Sequence, residues 1–324
     1  MDLKTLIETI NLEDYGIVDW GVVSTTLPQS YEKFQSWVDK GNAAPLKYLE
    51  DHRKELRKNL KNVYSSYKSC IVFLFSYSRQ RKGIQEFYNS QNSNQLRMGS
   101  YTLSFEGKDY HFKLLESLKQ ISEILNKKLN NFECSYSLDI QPVLERDFAY
   151  QAGLGWFGKN SMLINRKYGS FTMIGSILTN QSIKNENVLE IDHCGSCNAC
   201  VESCPTNAID PINRTIIAKD CISTYTIELF KDADPPSGIE NGNNEIFGCD
   251  ICQDVCPWNV KYDSKITSIP LEKSKIKEFF LERSIDEIKY DLNKMSNKEY
   301  KRVFKETVLE RTGRLGMLKN LKRF

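Results

Sequence analysis

The sequence predicts an α+β fold, with helices packed around one sheet, followed by a cysteine-rich segment and a short helical tail. Three observations predict it. Helix-like and strand-like stretches mix without strict β-α alternation over 1–185, eight of the ten cysteines fall between Cys194 and Cys256, and charged amphipathic stretches fill the end of the chain.

Residues 2–10, 30–40 and 46–60 read as helices, the second with Tyr31, Phe34 and Trp37 at helical spacing. Residues 68–77 read as a buried strand around Ile71-Val72-Phe73-Leu74-Phe75, and 169–178 as another. Between them, 108–129 predicts a long helix with Phe112, Leu115, Leu118, Ile121, Ile124 and Leu125 on its apolar stripe. Residues 232–244, rich in Asp, Pro, Gly and Asn, predict a loop. Residues 284–292 and 296–310 read as helices, each with a serine placed to cap it. The expected division is 1–185, 186–260 and 261–324.

With 40% hydrophobic residues, the composition is that of an ordinary folded domain. No apolar stretch approaches the roughly 20 residues that span a bilayer, and Met1-Asp2-Leu3-Lys4 opens no signal-peptide core. A cytoplasmic chain with reduced thiols and no membrane association is expected. The formal charge of +2 is unevenly spread. Residues 186–260 carry 3 basic and 13 acidic side chains, and residues 261–324 carry 17 basic and 10 acidic. The acidic block reads either as a docking face for a positively charged electron donor or as a solvated surface. The tail from Arg311 to Arg323 reads either as a phosphate-contacting segment or as a solvated helix face.

The cysteines run as Cys194-Gly-Ser-Cys197-Asn-Ala-Cys200-Val-Glu-Ser-Cys204-Pro205, then Cys221, then Cys249-Asp-Ile-Cys252-Gln-Asp-Val-Cys256-Pro257. C-x2-C-x2-C-x3-C-P is the ligand run of a two-cluster ferredoxin, in which the fourth cysteine serves the other cluster. Under that rule Cys194, Cys197 and Cys200 hold one 4Fe–4S cluster with Cys256, while Cys221, Cys249 and Cys252 hold a second with Cys204. An insertion, 222–248, displaces Cys221 upstream of its usual place. Each run ends on a proline, which stops a helix from running through it. Two zinc sites or four disulfides would also use eight cysteines, but zinc motifs seldom show this spacing and nothing marks the chain as secreted. Cys70 and Cys134 lie outside the pattern, and Cys70, ahead of an apolar run, reads as a buried inert thiol.

Upstream, the densest unusual stretch is Asp139-Ile-Gln-Pro142-Val-Leu-Glu145-Arg146, followed by Gly153-Leu-Gly155-Trp-Phe-Gly158-Lys159-Asn160-Ser161. Three glycines so close together suit close backbone approach to a large ligand. The spacing matches G-x-G-x-x-G, yet the preceding residues read helical, which argues against a dinucleotide loop.

These motifs, with Asp109-Tyr110-His111 and Cys249-Asp-Ile-Cys252-Gln-Asp-Val-Cys256-Pro-Trp-Asn259, resemble the epoxyqueuosine reductase family over nearly the whole chain. The glycine and cysteine runs are partly shared with the related reductive dehalogenases. The resemblance implies a nitroreductase-like cobalamin-binding sandwich, a ferredoxin-like domain with two 4Fe–4S clusters, and reduction of epoxyqueuosine to queuosine at the wobble position of tRNA. It implies Asp139 as proton donor, a role that calls for a raised pKa; by its local sequence alone Asp139 reads as a turn or cap. Arg57 matches a position near the corrin, against the reading of a solvated helix residue. Gly158, Lys159, Asn160 and Ser161 match a turn that bonds corrin amides or phosphate, against that of a structural loop, and Ser223 matches a residue near the cofactor. Asp109-Tyr110-His111 opens the long helix, which it could simply cap. His52, His111 and His193 all lie outside the D-x-H-x-x-G pattern that supplies an axial imidazole elsewhere, and a metal without that ligand is easier to reduce. Residues 104–107 look like a short insertion.

The implied partners are a tRNA anticodon loop and a low-potential donor such as flavodoxin or ferredoxin, with the protein a monomer. Many family members continue into a helical repeat domain that grips tRNA; with this sequence ending at Phe324, the grip is expected from the basic tail and the first domain. The competing functions are a small-molecule cobalamin reductase or dehalogenase, which would usually carry a twin-arginine signal, and a ferredoxin-type carrier with no need of Asp139.

Overall fold

The apolar run at 70–75 becomes the spine of a four-stranded antiparallel sheet. In the computed structural model, which describes residues 3–90, 92–184 and 187–324, strand β2 (Ser69–Ser76) pairs with β1 (Ile17–Val23) on one side. On its other side lies β4 (Thr172–Thr179), which also pairs with β3 (Cys134–Ser137), giving the order β1-β2-β4-β3. Val72 stands opposite Gly21 and Ser176. Apolar on both faces, β2 fits only where both are covered, and its residues 70–74 are buried to 1% exposure or less.

One face packs Cys70, Val72 and Leu74 against Phe148 and Ala149 of the Glu145–Gln151 helix. The other meets the Tyr110–Lys128 helix, where a Cβ on Gly175 of β4 would come within 3.3 Å of Leu118. That helix buries Leu114, Leu118, Ile121 and Leu125 together with Ser117 and Ser122, while Phe112 is exposed and Leu115 and Ile124 are half-buried. The stripe is thus rotated from the predicted one. Small serines let the helix approach the sheet, and each is satisfied: Ser117 donates to the Tyr15 carbonyl and Ser122 pairs with the Tyr136 hydroxyl.

The 30–40 helix forms as Tyr31–Asp39 and the first helix as Leu3–Glu8, the expected start at Asp2 lying outside the described residues. The single helix expected over 46–60 is instead three short pieces, Lys47–Leu49, Arg53–Leu56 and Leu60–Asn62. Asp51 and Asn59 each accept the N–H two residues on, from Arg53 and Lys61, so their side chains compete with a continuous ladder.

The chain divides into two compact units, 1–76 with 111–197, and 77–110 with 198–324. This differs from three consecutive segments; the boundary expected at 185/186 lies outside the described residues. In the second unit Ile84, Tyr88, Leu96 and Met98 share one core with Phe247, Phe280, Tyr300, Phe304 and Met317. Residues 77–110 therefore fold with the tail, because their apolar side chains have that core to enter.

Ser284 and Ser296 form the expected caps, each in a reciprocal capping box, with Glu287 and Glu299. The helix from Asn297 ends at Val303, short of the expected 310; the chain passes through Glu306 at φ +64° and restarts as Leu309–Leu321. The last helix is no free basic arm. Arg311 pairs with Glu228, Lys322 with Asp232, Arg314 donates to the Leu292 carbonyl, Lys319 to those of Tyr225 and Leu229, and Arg323 to that of Ile239. Lys319 is buried and Arg314 and Arg323 are half-buried, while Arg311 and Lys322 stay exposed, so the expected solvated face holds for part of the tail. Among the described residues no helix is long and apolar enough to cross a membrane.

Candidate active site and cluster ligands

In the first unit, the turn after β3 carries Asp139 with φ +59°, a left-handed conformation that costs a non-glycine residue about 1 kcal/mol. The side chain is 55% exposed, and its Oδ1 lies 2.6 Å from His111 Nε2, in the first turn of the long helix. Glu145, at the start of the next helix, accepts the Asp139 N–H at 2.7 Å and the Ser137 hydroxyl. Burial pushes the Glu145 carboxyl up to about 7, against the pull of those two hydrogen bonds, and the Asp139 charge adds to the rise. The adjacent Arg146 donates to the Ser161 carbonyl and hydroxyl. Glu145 and Arg146 thus tie the Asp139 turn and the 158–161 turn to one helix end.

The glycine run serves the chain itself. Gly155 has φ +154°, and a Cβ there would sit 2.2 Å from the Ile164 carbonyl oxygen. It opens a hairpin pairing Trp156–Phe157 with Leu163–Ile164, directly after a helix, the reverse of a dinucleotide loop. A Cβ on Gly158 would meet Asn160 Oδ1 and Ile164 Cδ1, both at 2.6 Å. At Gly155 the approach that needs glycine is backbone to backbone, at Gly158 side chain to backbone.

Lys159 donates to the carbonyls of Gly195 and Cys197, at 2.9 and 2.8 Å, and so braces the first cysteine loop. Asn160 is buried and its Oδ1 accepts the Met162 N–H. Ser161, at φ +64°, is held by Arg146. Arg57 is buried over the Phe34 ring, its Nη1 without a hydrogen-bond partner, and burial lowers its pKa. A buried guanidinium N–H with no acceptor fits the amide or phosphate oxygens that a corrin carries. Of the other histidines, His193 bonds Glu190 at 3.2 Å and sits edge-on to Trp156, while His52 is exposed beside Asp51.

No disulfide joins any of the ten cysteines, which sets aside the disulfide framework. Cys194 and Cys197 belong to the first unit, the other six of the runs to the second. Within the second unit, burial raises the pKa of Cys221, Cys249 and Cys252; Cys204 adds to the rise at Cys221 and Cys252, and Cys221 to that at Cys249 and Cys252. Three desolvated thiols with Cys204 beside them fit a cluster, which stabilises its ligands as thiolates. Among the described residues no three His, Cys, Asp or Glu side chains converge as a single ion requires; a cubane instead takes one thiolate per iron. The Ala208 N–H points at Cys204 Sγ from 3.3 Å, and the Ser223 hydroxyl, with the N–H groups of Ser223 and Thr224, bonds Cys221. Ser223 therefore sits on the Cys221 sulfur. The two prolines act differently: Pro205 lies in a turn, whereas Pro257 opens the Pro257–Asp263 helix, with Cys256 at its N-cap.

His111, Glu145 and Arg146 were visible as parts of motifs, but nothing in the sequence said that His111 reaches Asp139, 28 residues away.

Residues 193–259 match the 4Fe-4S double cluster binding domain family. An epoxyqueuosine reductase from Cyclobacterium marinum is 32% identical over 298 residues, covering 92% of this chain and 89% of that protein. The structure of epoxyqueuosine reductase from Streptococcus thermophilus superposes with a TM-score of 0.80 at 23% identity, covering 99% of this chain and 80% of that one. A crystal structure of epoxyqueuosine reductase with an epoxyqueuosine-modified tRNA-Tyr stem loop gives 0.74 at 24% identity, covering 98% and 79%. At this identity and coverage the chain belongs to the epoxyqueuosine reductase family.

Proposed function

We propose that the protein reduces epoxyqueuosine to queuosine in tRNA, with Asp139 as proton donor, cobalamin in the first unit and two 4Fe–4S clusters on the cysteine runs. The observation that carries this reading is the exposed Asp139–His111 pair at 2.6 Å, in a chain of this family. A relative bound to an epoxyqueuosine-modified stem loop supports the substrate.

The net reaction takes two electrons and two protons and releases the epoxide oxygen as water. Cobalamin, when bound, supplies the electrons that open the strained ring. Cleavage of the carbon–oxygen bond leaves a charged oxygen, and Asp139, exposed where a nucleoside can reach it, protonates it. His111 restores that proton through its short contact with Asp139 Oδ1. Glu145 holds the turn by its backbone, and the Asp139 side chain, paired with His111, stays exposed to substrate. Arg57 binds the cofactor's oxygen acceptors, and Lys159 keeps the first cysteine loop in place. Cys194, Cys197, Cys200 and Cys256 hold one cluster, and Cys204, Cys221, Cys249 and Cys252 the other. The excess positive charge over 1–185 suits the tRNA backbone, and the acidic 186–260 segment a basic face on a flavodoxin or ferredoxin. A monomer in the cytoplasm completes the reading.

The test is reconstitution with cobalamin and clusters, then addition of epoxyqueuosine-containing tRNA and a low-potential reductant. Queuosine should form; its absence while cobalt is demonstrably reduced overturns the proposal.

A further inference from the structure

Cys221 is separated from Cys249 by the longest stretch between successive cysteines of the runs, and a flexible segment of that length would leave its thiol unplaced. In the second unit the two ends of the insertion are joined. Thr226, fully buried, donates its hydroxyl to the Ile222 carbonyl, and the same oxygen accepts the Gly248 N–H at 3.0 Å. Asn320, on the last helix and also fully buried, donates through Nδ2 to the carbonyls of Thr226 and Ile246, both at 2.8 Å. The Tyr225 N–H returns to the Cys221 carbonyl at 3.1 Å. Cys221 and Cys249 are therefore linked by bonded residues at both ends, and the stretch from Ile227 to Asn244 is bypassed.

Lys319 reinforces the join from the preceding position. It is 2% exposed, donates to the carbonyls of Tyr225 and Leu229, and stacks over the Tyr225 ring. Arg323 adds bonds to the carbonyls of Ile239 and Glu245. Buried donors aimed at backbone carbonyls are costly to leave unmade, so this register of helix and insertion is strongly specified.

We propose that Asn320, with Thr226 and Lys319, is a positioning residue for the second iron–sulfur cluster, holding Cys221 at a fixed place relative to Cys249 and Cys252. The inference rests on reading Cys204, Cys221, Cys249 and Cys252 as that cluster's ligands. The last helix is then a clasp on the cluster loop.

The experiment measures iron and acid-labile sulfide per chain, and the spectrum of the reduced clusters by electron paramagnetic resonance, in the reconstituted full-length protein. Wild type should hold about eight iron atoms; a wild type with about four and a Cys221→Ala variant unchanged from it would overturn the ligand reading itself. Given eight, Asn320→Leu and Thr226→Val, each close in shape and lacking the bonding group, should keep about four and lose one of the two signals, matching Cys221→Ala. Lys322→Ala, on the same helix at an exposed position, should keep all eight. Full iron and an unchanged spectrum in both Asn320→Leu and Thr226→Val overturn the proposal. So does loss of both clusters together with the circular dichroism of the fold, since the helix would then serve stability alone.

Discussion

The Asp139 turn and the Cys249–Cys256 run are both short polar segments next to a helix, yet they are held in opposite ways. Asp139 is exposed, is followed by Ile140 at 70% exposure, and is tethered through its backbone N–H to Glu145. Around the second cysteine run the anchors are buried charges. Asp250 accepts the Ser100 N–H at 2.6 Å and burial pushes its carboxyl up to about 6, while Arg81 grips both Asp254 and Asp263. Asn259 closes the run by donating to the Gln253 carbonyl at 2.7 Å. On the proposed roles, a group that must meet a nucleoside stays open to solvent, and groups that carry electrons gain from a rigid, dry frame.

If that contrast is right, the largest effect belongs to Asp139→Asn, which should keep both clusters and the circular dichroism of wild type but lower turnover by about 10²–10⁴-fold. Full turnover would remove Asp139 from the chemistry. Arg81→Met should leave Asp254 and Asp263 unpaired in a partly buried setting and lower unfolding free energy by about 3 kcal/mol in denaturant titration. Glu145→Gln separates the tether from its charge. Because burial raises the Glu145 carboxyl from 4.5 to about 7, the folded state binds its proton more tightly, so wild-type stability from this group is complete below about pH 4.5 and is lost as pH rises through 7. The difference between variant and wild type should therefore grow in the variant's favour by about 3 kcal/mol across that window, and a flat difference would show that the carboxyl is not desolvated. The smallest effect is expected for Lys159→Met, about 1 kcal/mol, read as faster loss of iron to a chelator.

Much of this was legible in the sequence where local pattern decides the outcome. The β2 run could only be a buried strand, the cysteine spacing named its own ligand logic, and Ser284 and Ser296 announced their caps. What failed to show were contacts between distant residues. The 46–60 stretch has helical composition, but Asp51 and Asn59 turn their side chains onto the backbone. That Ile164 returns against Gly155 is likewise hidden in the glycine run. The tail's ion pairs did not show because its partners, Glu228 and Asp232 among them, lie 83 and 90 residues earlier.

The core shared by residues 84–103 and 246–321 has a consequence for how the protein is made. A ribosome adding about 5–20 residues per second needs roughly 7–30 s to travel from Leu103 to Ile246. For that time Ile84, Tyr88, Leu96 and Met98 have been synthesised but their packing partners have not, so the early segment emerges as an apolar stretch in search of a core. The first unit's sheet, too, waits on β4 at 172–179. Folding in the cell is thereby weighted towards the end of synthesis, and a holding chaperone that covers residues 77–110 would raise the yield of soluble protein more than it would for a chain whose units are consecutive.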